Sequence, residues 1–242
     1  MSELNYVLSK WRKLGTSFNV EPCKETPNIE NLIILSARYI PEFSRLLPML
    51  EAWLSKYEVL VCRHHLARMV SQLQDQKSSA ILGYLFSRLR AKTESKHFNI
   101  VIKQCKPLFQ PEPLFHVDQK NDKTKAFAER FSEPEAIEWG LWASHERPYE
   151  SAIMDSTWLM KENPTLHYRA LFSGKLQATI ISVLLESEDH GQSETRLSKA
   201  CNVTRVALRD ALEHLDLCGY IQRLPEKKRS VIKLINIERI TY

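Results

Sequence analysis

Basic side chains near the C-terminus are the residues whose types and spacing best suggest a chemistry. Arg205 and Arg209 stand four positions apart, near the start of a predicted helix. A second set of cations follows around a proline: Arg223, Lys227, Lys228, Arg229 and Lys233. Guanidinium and ammonium groups bind phosphate oxygens, and guanidinium groups also bind base edges. These residues therefore predict binding to a polyanion.

Formal charge is distributed unevenly along the chain. The whole sequence has 34 Lys and Arg against 29 Asp and Glu, a net charge of +5. Residues 63–103 carry a net charge of +6 and residues 195–233 carry +5, whereas residues 110–172 carry −4. Two basic segments thus flank an acidic middle, and basic segments attract polyanions.

Motifs that accompany common enzymatic chemistries do not occur in the sequence. It has no Gly-x-Gly-x-x-Gly, Walker loop, His-Glu-x-x-His or Gly-x-Ser-x-Gly. The five cysteines are scattered without a Cys-x-x-Cys pair, which indicates small buried side chains in a reducing compartment. The adjacent His64 and His65 would point about 100° apart on a helix and cannot easily share a metal. We therefore expect no enzyme, no cofactor and no metal site.

Apolar periodicity predicts the helices that position the C-terminal cations. The first has its stripe at Leu176, Ile180, Val183 and Leu184, with Ser173 as its N-cap. A polar loop, EDHGQ, then leads to a second short helix. Ser193 caps that helix, and its shared apolar face consists of Leu197, Ala200 and Cys201.

A third helix and a basic hairpin complete this region. The turn Asn202-Val203 precedes Thr204, the predicted N-cap, and Gly219 sits at the C′ position. The inward stripe of the helix is Leu208, Ala211, Leu212 and Leu215. The outward face is Val206, Arg209, Asp210 and Glu213, with Arg205 on the flank. The stretch YIQRLPEKKRSVIKLI then predicts a strand, a basic loop and a return strand.

Helix, helix, tight turn, helix and basic hairpin is the order of a winged helix-turn-helix. The stretch LSKACNVTRVALRDALEHLDLCGYI resembles the helix 2–helix 3 core of bacterial winged-helix transcription regulators of the MarR and ArsR types. The resemblance extends over roughly residues 169–235. It implies that the third helix enters the major groove of double-stranded DNA while the basic wing contacts phosphates. The helix would then contribute Thr204, Arg205, Val206 and Arg209.

A similar order of elements is present in residues 45–105. Helices are predicted over 47–54, 66–70 and 81–89, and HFNIVIK alternates as a strand does. We therefore expect a degenerate N-terminal winged helix. Its basic side chains are further candidates for DNA contact: Arg88, Arg90 and Lys92.

The predicted fold class is mainly α with small β wings, in three parts. Residues 1–105 form a helical domain and residues 169–242 the winged helix-turn-helix. Residues 106–168 connect them, opening with the proline-rich KPLFQPEPLF. This connecting region is rich in tryptophan: Trp139, Trp142 and Trp158. Core packing, a dimer interface and a small-molecule pocket are all compatible with these side chains.

The expected function is that of a sequence-specific, double-stranded DNA-binding transcription regulator, a repressor acting as a homodimer. No apolar run approaches the roughly 18 residues of a membrane span, so a cytoplasmic protein without membrane association is expected. Any effector ligand is unknown. One alternative is a plasmid-type replication initiator with tandem winged helices. Another is a non-enzymatic scaffold subunit, which Asp210 and Glu213 favour because carboxylates repel phosphates.

Overall fold

The computed structural model describes residues 2–144, 149–185, 187–201, 203–226 and 229–235. This described part is mainly helical and includes a small sheet of three antiparallel strands. The predicted mainly α class with a small amount of β structure is therefore confirmed. The chain divides into two compact units. Unit 1 comprises Met1–Glu58 and Leu66–Asn163, and unit 2 comprises Val59–His65 and Pro164–Tyr242.

The described part of unit 1 consists of helices and loops with a short parallel strand pair, β1 (Glu112–Pro113) with β2 (Leu141–Trp142). Helix α4 (Arg63–Ser71) begins in the segment that belongs to unit 2 and continues into unit 1. The other helices of unit 1 are α1 (Glu3–Lys13), α2 (Ile29–Tyr39), α3 (Leu46–Tyr57), α5 (Gln76–Thr93), α6 (Asn99–Ile102), α7 (Asp122–Arg130), α8 (Pro134–Glu138) and α9 (Ser156–Glu162).

Helix α5 is the centre of unit 1, because every residue from 78 to 89 is buried. The side chain of Trp139 packs on this helix at Gly83, where a Cβ would overlap the indole ring. The indole Nε1 of Trp139 donates a hydrogen bond to Ser87 Oγ at 3.0 Å. Of the interpretations of the tryptophan-rich region, core packing therefore applies to Trp139. Residues 106–163 belong to unit 1 and do not form a unit of their own.

The predicted N-terminal strand is wrong, because Asn99–Ile102 forms helix α6. Phe98 and Val101 are buried on one side of it, and the Phe98 ring stacks on Phe86 with centroids 4.5 Å apart. A short apolar run fits either period, and here the helical one applies. No antiparallel hairpin follows α5 in the described part of unit 1, so the expected N-terminal winged helix is wrong as well.

Unit 2 combines helices with a three-stranded sheet. The sheet order is β3-β5-β4, and both pairings are antiparallel. Its elements in chain order are α10 (His167–Leu171), α11 (Leu176–Leu185), β3 (Gly191–Ser193), α12 (Glu194–Cys201), α13 (Arg205–Leu217), β4 (Ile221–Glu226) and β5 (Arg229–Leu234).

Strand β3 lies where the sequence analysis predicts a polar loop. Three residues without an apolar side chain produce no alternation, so only their pairing with β5 reveals the strand. The predicted hairpin is confirmed as β4 and β5, which pair from Ile221 with Leu234 to Glu226 with Arg229. Pro225 lies on β4, an edge strand of this sheet, where its missing N–H is tolerated.

The predicted apolar stripes of unit 2 are largely confirmed. All four inward residues of α13 are buried, as are Leu197 and Cys201 on α12 and Ile180 and Leu184 on α11. Ala200, in contrast, is exposed. Ser173 is not the N-cap of α11, because the helix begins at Leu176 and Ser173 lies in a turn with φ of +47°.

Both ends of α13 are capped as predicted. The Thr204 hydroxyl accepts a hydrogen bond from the Ala207 N–H at 3.3 Å. At the other end Gly219 has φ of +72°, and its N–H donates to Asp216 O at 2.9 Å. The N–H of Tyr220 donates to Leu215 O, also at 2.9 Å. This pair of bonds is a Schellman motif, which explains why the helix ends here.

The segment Val59–His65 is part of the packing of unit 2. Buried Arg169 donates to Leu60 O at 3.1 Å and lies 3.6 Å from Cys62 Sγ. Gly174, with φ of +63°, approaches Val61 so closely that a Cβ would overlap the Val61 carbonyl oxygen. Unit 2 is therefore assembled from two stretches of chain, Val59–His65 and Pro164–Tyr242.

Candidate nucleic-acid interface

The first turn of α13 presents its side chains to solvent. Thr204 and Arg205 are exposed, and Val206 is 69% exposed. Leu208 and Leu212 fix this orientation, because both are fully buried on the opposite side of the helix. The exposed side of this turn thus includes an apolar side chain, Val206, beside the polar Thr204 and Arg205.

The carboxylate of Glu194 joins two of the predicted cationic residues. Its Oε2 lies 3.5 Å from Arg209 Nε, and its Oε1 lies 3.5 Å from Arg223 Nη1. Arg223 Nε is also 3.7 Å from Asp216 Oδ2. One carboxylate thus bridges the exposed face of α13 and the first strand of the hairpin.

Local structure accounts for the position of Glu194. It is the first residue of α12, after Ser193, whose Oγ accepts a hydrogen bond from the Arg196 N–H at 3.4 Å. A carboxylate in the first turn of a helix is favoured by the helix dipole. Helix α12 packs against α13, and β3, which ends at Ser193, pairs with β5, so Glu194 lies near both α13 and the sheet.

Sheet register separates the predicted wing cations. Arg223 pairs with buried Ile232. Paired residues lie on the same face of a sheet, so Arg223 lies on the face that packs against the core. Lys233 pairs with Gln222 and Gly191 and therefore lies on the other face, since successive strand residues alternate. Arg223 and Lys233 do not form one surface.

Some predicted residues lie outside the part of the chain that the structure describes. Lys227 and Lys228 connect β4 to β5 but are themselves not described, and neither is the side chain of Arg229. Asn202, in the predicted turn before Thr204, also lies outside the described residues. Their assignment to DNA contact stays a prediction.

Arg88 is wrong as a predicted DNA contact, because its guanidinium group is buried in unit 1. Its Nη2 lies 2.9 Å from Glu51 Oε2 and its Nη1 lies 3.3 Å from Glu133 Oε1. The same Nη1 donates a hydrogen bond to the Tyr84 hydroxyl at 3.1 Å. The Tyr84 hydroxyl in turn donates to Glu133. A basic residue on a helix that is buried on all sides packs inward, and here two carboxylates compensate its charge.

The other two N-terminal candidates are exposed but lack a wing beside them. Arg90 is exposed near the end of α5, and Lys92 pairs with Glu150, Nζ to Oε1 2.5 Å. DNA contact by either residue stays a prediction. Nothing in the described part of unit 1 brings these two residues together with a hairpin.

Sequence reasoning missed Glu194 and Asp216 as partners of the predicted cations. A spacing of four residues on one helix face favours a pair between Arg209 and Glu213. In the structure Arg209 pairs instead with Glu194, fifteen positions earlier in the chain. Asp210 and Glu213 are exposed on the outward face of α13, as predicted. The sequence signal for Glu194 is its place directly after the capping Ser193, which predicts a position in the first turn of α12.

Free cysteines are distributed from core to surface. Cys62 and Cys201 are buried in unit 2, where burial raises the pKa of Cys201 to about 12. Cys23 and Cys105 are half-buried, whereas Cys218 is exposed. The predicted burial is thus confirmed for two of the five. Among the described residues no group of three or more His, Cys, Asp or Glu side chains could hold a metal ion.

Helices in the described part of the chain are all too short or too polar to cross a membrane. Comparison with protein-family models, curated proteins and solved structures finds no match to this chain. The arrangement of unit 2 itself is therefore what bears on function.

Proposed function

We propose that unit 2 is a winged helix-turn-helix and that the chain is a sequence-specific, double-stranded DNA-binding transcription regulator. The observation that carries the proposal is the order α11, β3, α12, α13, β4, β5 together with the sheet order β3-β5-β4. In this arrangement α12 and α13 form the helix-turn-helix, and β4 and β5 form the wing.

Exposure of the first turn of α13 supports major-groove binding by this helix. The major groove is about 12 Å wide and admits one α-helix, whose N-terminal side chains then reach base edges. Thr204, Arg205, Val206 and Arg209 occupy these positions and are exposed. Base-edge contacts by these residues supply the specificity.

Repression by a homodimer is part of the same proposal. A repressor needs no catalytic group, since it acts by occupying its operator. Two copies related by a two-fold axis would place their α13 helices in successive major grooves, about 34–36 Å apart. The operator is then a pseudo-palindrome with half-sites one helical turn apart.

A scaffold function is the second candidate, and the exposed acids on α13 favour it. Asp210 and Glu213 would face phosphates in a DNA complex, whereas a protein partner with basic side chains would pair with them. The replication-initiator alternative depends on a second winged helix, for which the described residues of unit 1 provide no wing.

A salt titration tests DNA binding by the full chain. Its affinity for a random-sequence duplex is measured by fluorescence anisotropy from about 50 mM salt upward, because phosphate contacts are strongest at low salt. We expect log K to fall linearly with log salt, with a slope of about −0.9 for each phosphate neutralised. Absence of binding at the lowest salt contradicts the regulator and leaves the scaffold.

Charge reversal in the wing identifies the surface responsible. The triple variant Lys227→Glu, Lys228→Glu, Arg229→Glu is expected to abolish binding to the random duplex, because the wing would then repel phosphates. A matched control reverses three exposed lysines of unit 1: Lys103, Lys106 and Lys120. Both triple variants change the net charge equally. If they weaken binding equally, the effect is one of net charge, and the wing has no special part.

A further inference from the structure

We propose that Glu194 is a positioning residue that orients Arg209 toward the edge of a guanine base. This inference rests on the proposed function, because it assigns a base preference to the same interface. The geometry on which it depends is the bridge formed by one carboxylate between Arg209 on α13 and Arg223 on β4.

Arg209 is held at one nitrogen and extends beyond the contact. Its Nε contacts Glu194 Oε2 at 3.5 Å, and 60% of the Arg209 side chain is exposed. Nη1 and Nη2 lie farther along the side chain than Nε. Two parallel N–H donors at the tip of an arginine match O6 and N7 of guanine in the major groove, which is the commonest specific contact in protein–DNA complexes.

Arg223 is held at two nitrogens and is less exposed. Nη1 faces Glu194 and Nε faces Asp216, at 3.5 and 3.7 Å, and 34% of the side chain is exposed. Two carboxylates compensate its charge, so its attraction for phosphate is reduced. Arg223 therefore links the hairpin to α12 and α13, while Arg209 reads the base.

Glu194 also lowers the attraction of this corner for DNA of any sequence. Phosphate contacts position a protein without reading sequence, and a carboxylate beside two arginines weakens them. Orientation of Arg209 has the opposite effect on the correct site, because an ordered side chain loses less entropy on binding. Glu194 thus lowers the affinity for DNA of any sequence and raises the preference for the correct base.

Binding-site selection with the full chain tests this inference. We expect the wild-type protein to select a G·C pair at one position of each half-site. Arg209→Ala should reduce the preference at that pair by roughly 5- to 150-fold, the range for a bidentate contact. Glu194→Gln should reduce preference at the same pair while raising affinity for random duplex.

Glu213→Gln is the matched control for the loss of one negative charge. Glu213 is exposed on the same face of α13, so this variant should raise affinity for random duplex and leave the G·C preference unchanged. Thermal unfolding of each variant shows whether the substitution destabilises the fold. A destabilised variant should lose base preference at every position of the site and not only at the G·C pair.

Outcomes for the inference and for the proposed function are distinguishable. If the wild-type protein binds no duplex, the proposed function fails and the inference fails with it. If the wild type selects a site but Glu194→Gln keeps the full G·C preference, only the inference is overturned. Equal loss at every position of the site overturns it too, because Glu194 would then act on the fold and not on Arg209.

Discussion

Arg88 on α5 lies between the carboxylates of Glu51 and Glu133, with the Tyr84 hydroxyl as a further neighbour. Burial lowers the pKa of the guanidinium group, but Tyr84 and the two carboxylates raise it by more, so the group stays protonated. Burial raises the pKa of Tyr84, which therefore keeps its proton. Loss of one member of such a cluster is strongly destabilising, because it leaves a buried charge without compensation.

Replacement of Arg88 by Met tests this cluster. Two buried carboxylates would lose their cation, and removal of one partner of a buried ion pair costs about 3–5 kcal/mol. We expect the free energy of unfolding, measured in urea, to fall by that amount. Arg90→Met is the control on the exposed side of the same helix and should change stability by less than about 0.5 kcal/mol. Similar midpoints for the two variants would contradict the buried cluster.

Two glycines of unit 2 with positive φ have different surroundings. A Cβ at Gly174 would overlap the Val61 carbonyl oxygen, whereas a Cβ at Gly219 meets nothing within 4 Å. Gly219→Ala should therefore cost only the left-handed backbone conformation, about 1–2 kcal/mol. Gly174→Ala should cost clearly more, because the backbone must also move. Thermal unfolding of both variants measures the difference in stability. Equal losses of stability would mean that the backbone at Val61 can move away from the new Cβ at no cost.

At the scale of the element, α13 is held by its caps and its buried stripe. Removal of the Thr204 hydroxyl leaves an N–H of the first turn without its acceptor and costs about 1 kcal/mol. We therefore expect Thr204→Ala to lower the stability of unit 2 by this amount in urea unfolding. Thr195→Ala, an exposed threonine on α12, is the control and should be close to neutral. A neutral Thr204→Ala would mean that water replaces the cap.

Elements with a long apolar period were predictable from the sequence. Helices α11 and α13 show a 3.6-residue stripe, and the two strands of the hairpin flank a basic loop that follows a proline, so each follows from local pattern. Short elements were not predictable: β3 has no apolar residue, and the four residues of α6 satisfy both periods. Such elements depend on their neighbours in space.

The candidate site was predictable only in part, for the same reason. Exposure of Thr204, Arg205 and Val206 follows from the buried stripe of α13. The pairing of Arg209 with Glu194 joins residues fifteen positions apart, and only the packing of α12 on α13 brings them together. Burial of Arg88 likewise depends on elements packed around α5, whereas its basic character suggested a surface.

At the scale of the whole molecule, unit 2 requires a segment from the N-terminal part of the chain. Arg169 donates to Leu60 O, and Cys62 belongs to the apolar core formed with α11, α12 and α13. A fragment consisting of residues 164–242 would lack Leu60 and Cys62. It would also lack Val61, which Gly174 contacts. The boundary predicted from sequence, at residue 169, has the same deficiency.

Comparison of two fragments tests this dependence. Residues 164–242 alone are expected to unfold at a lower temperature than the same fragment joined to residues 59–65 by a flexible Gly/Ser linker. Circular dichroism at 222 nm follows both transitions. The control carries the same linker with Leu60, Val61 and Cys62 replaced by Ser and should behave like the shorter fragment. Equal stability of all three fragments would show that the segment contributes nothing to unit 2.

The separation of this segment from its partners also affects biosynthesis. Residues 59–65 leave the ribosome about 100 residues before Pro164, which at roughly 5–20 residues per second corresponds to a delay of roughly 5–20 s. During this time Leu60, Val61 and Cys62, all buried in the finished protein, lack their contacts with Arg169, Gly174 and the apolar core of unit 2. Unit 2 can therefore complete its folding only after about 100 further residues have been synthesised, when this early segment meets the residues from Pro164 onward.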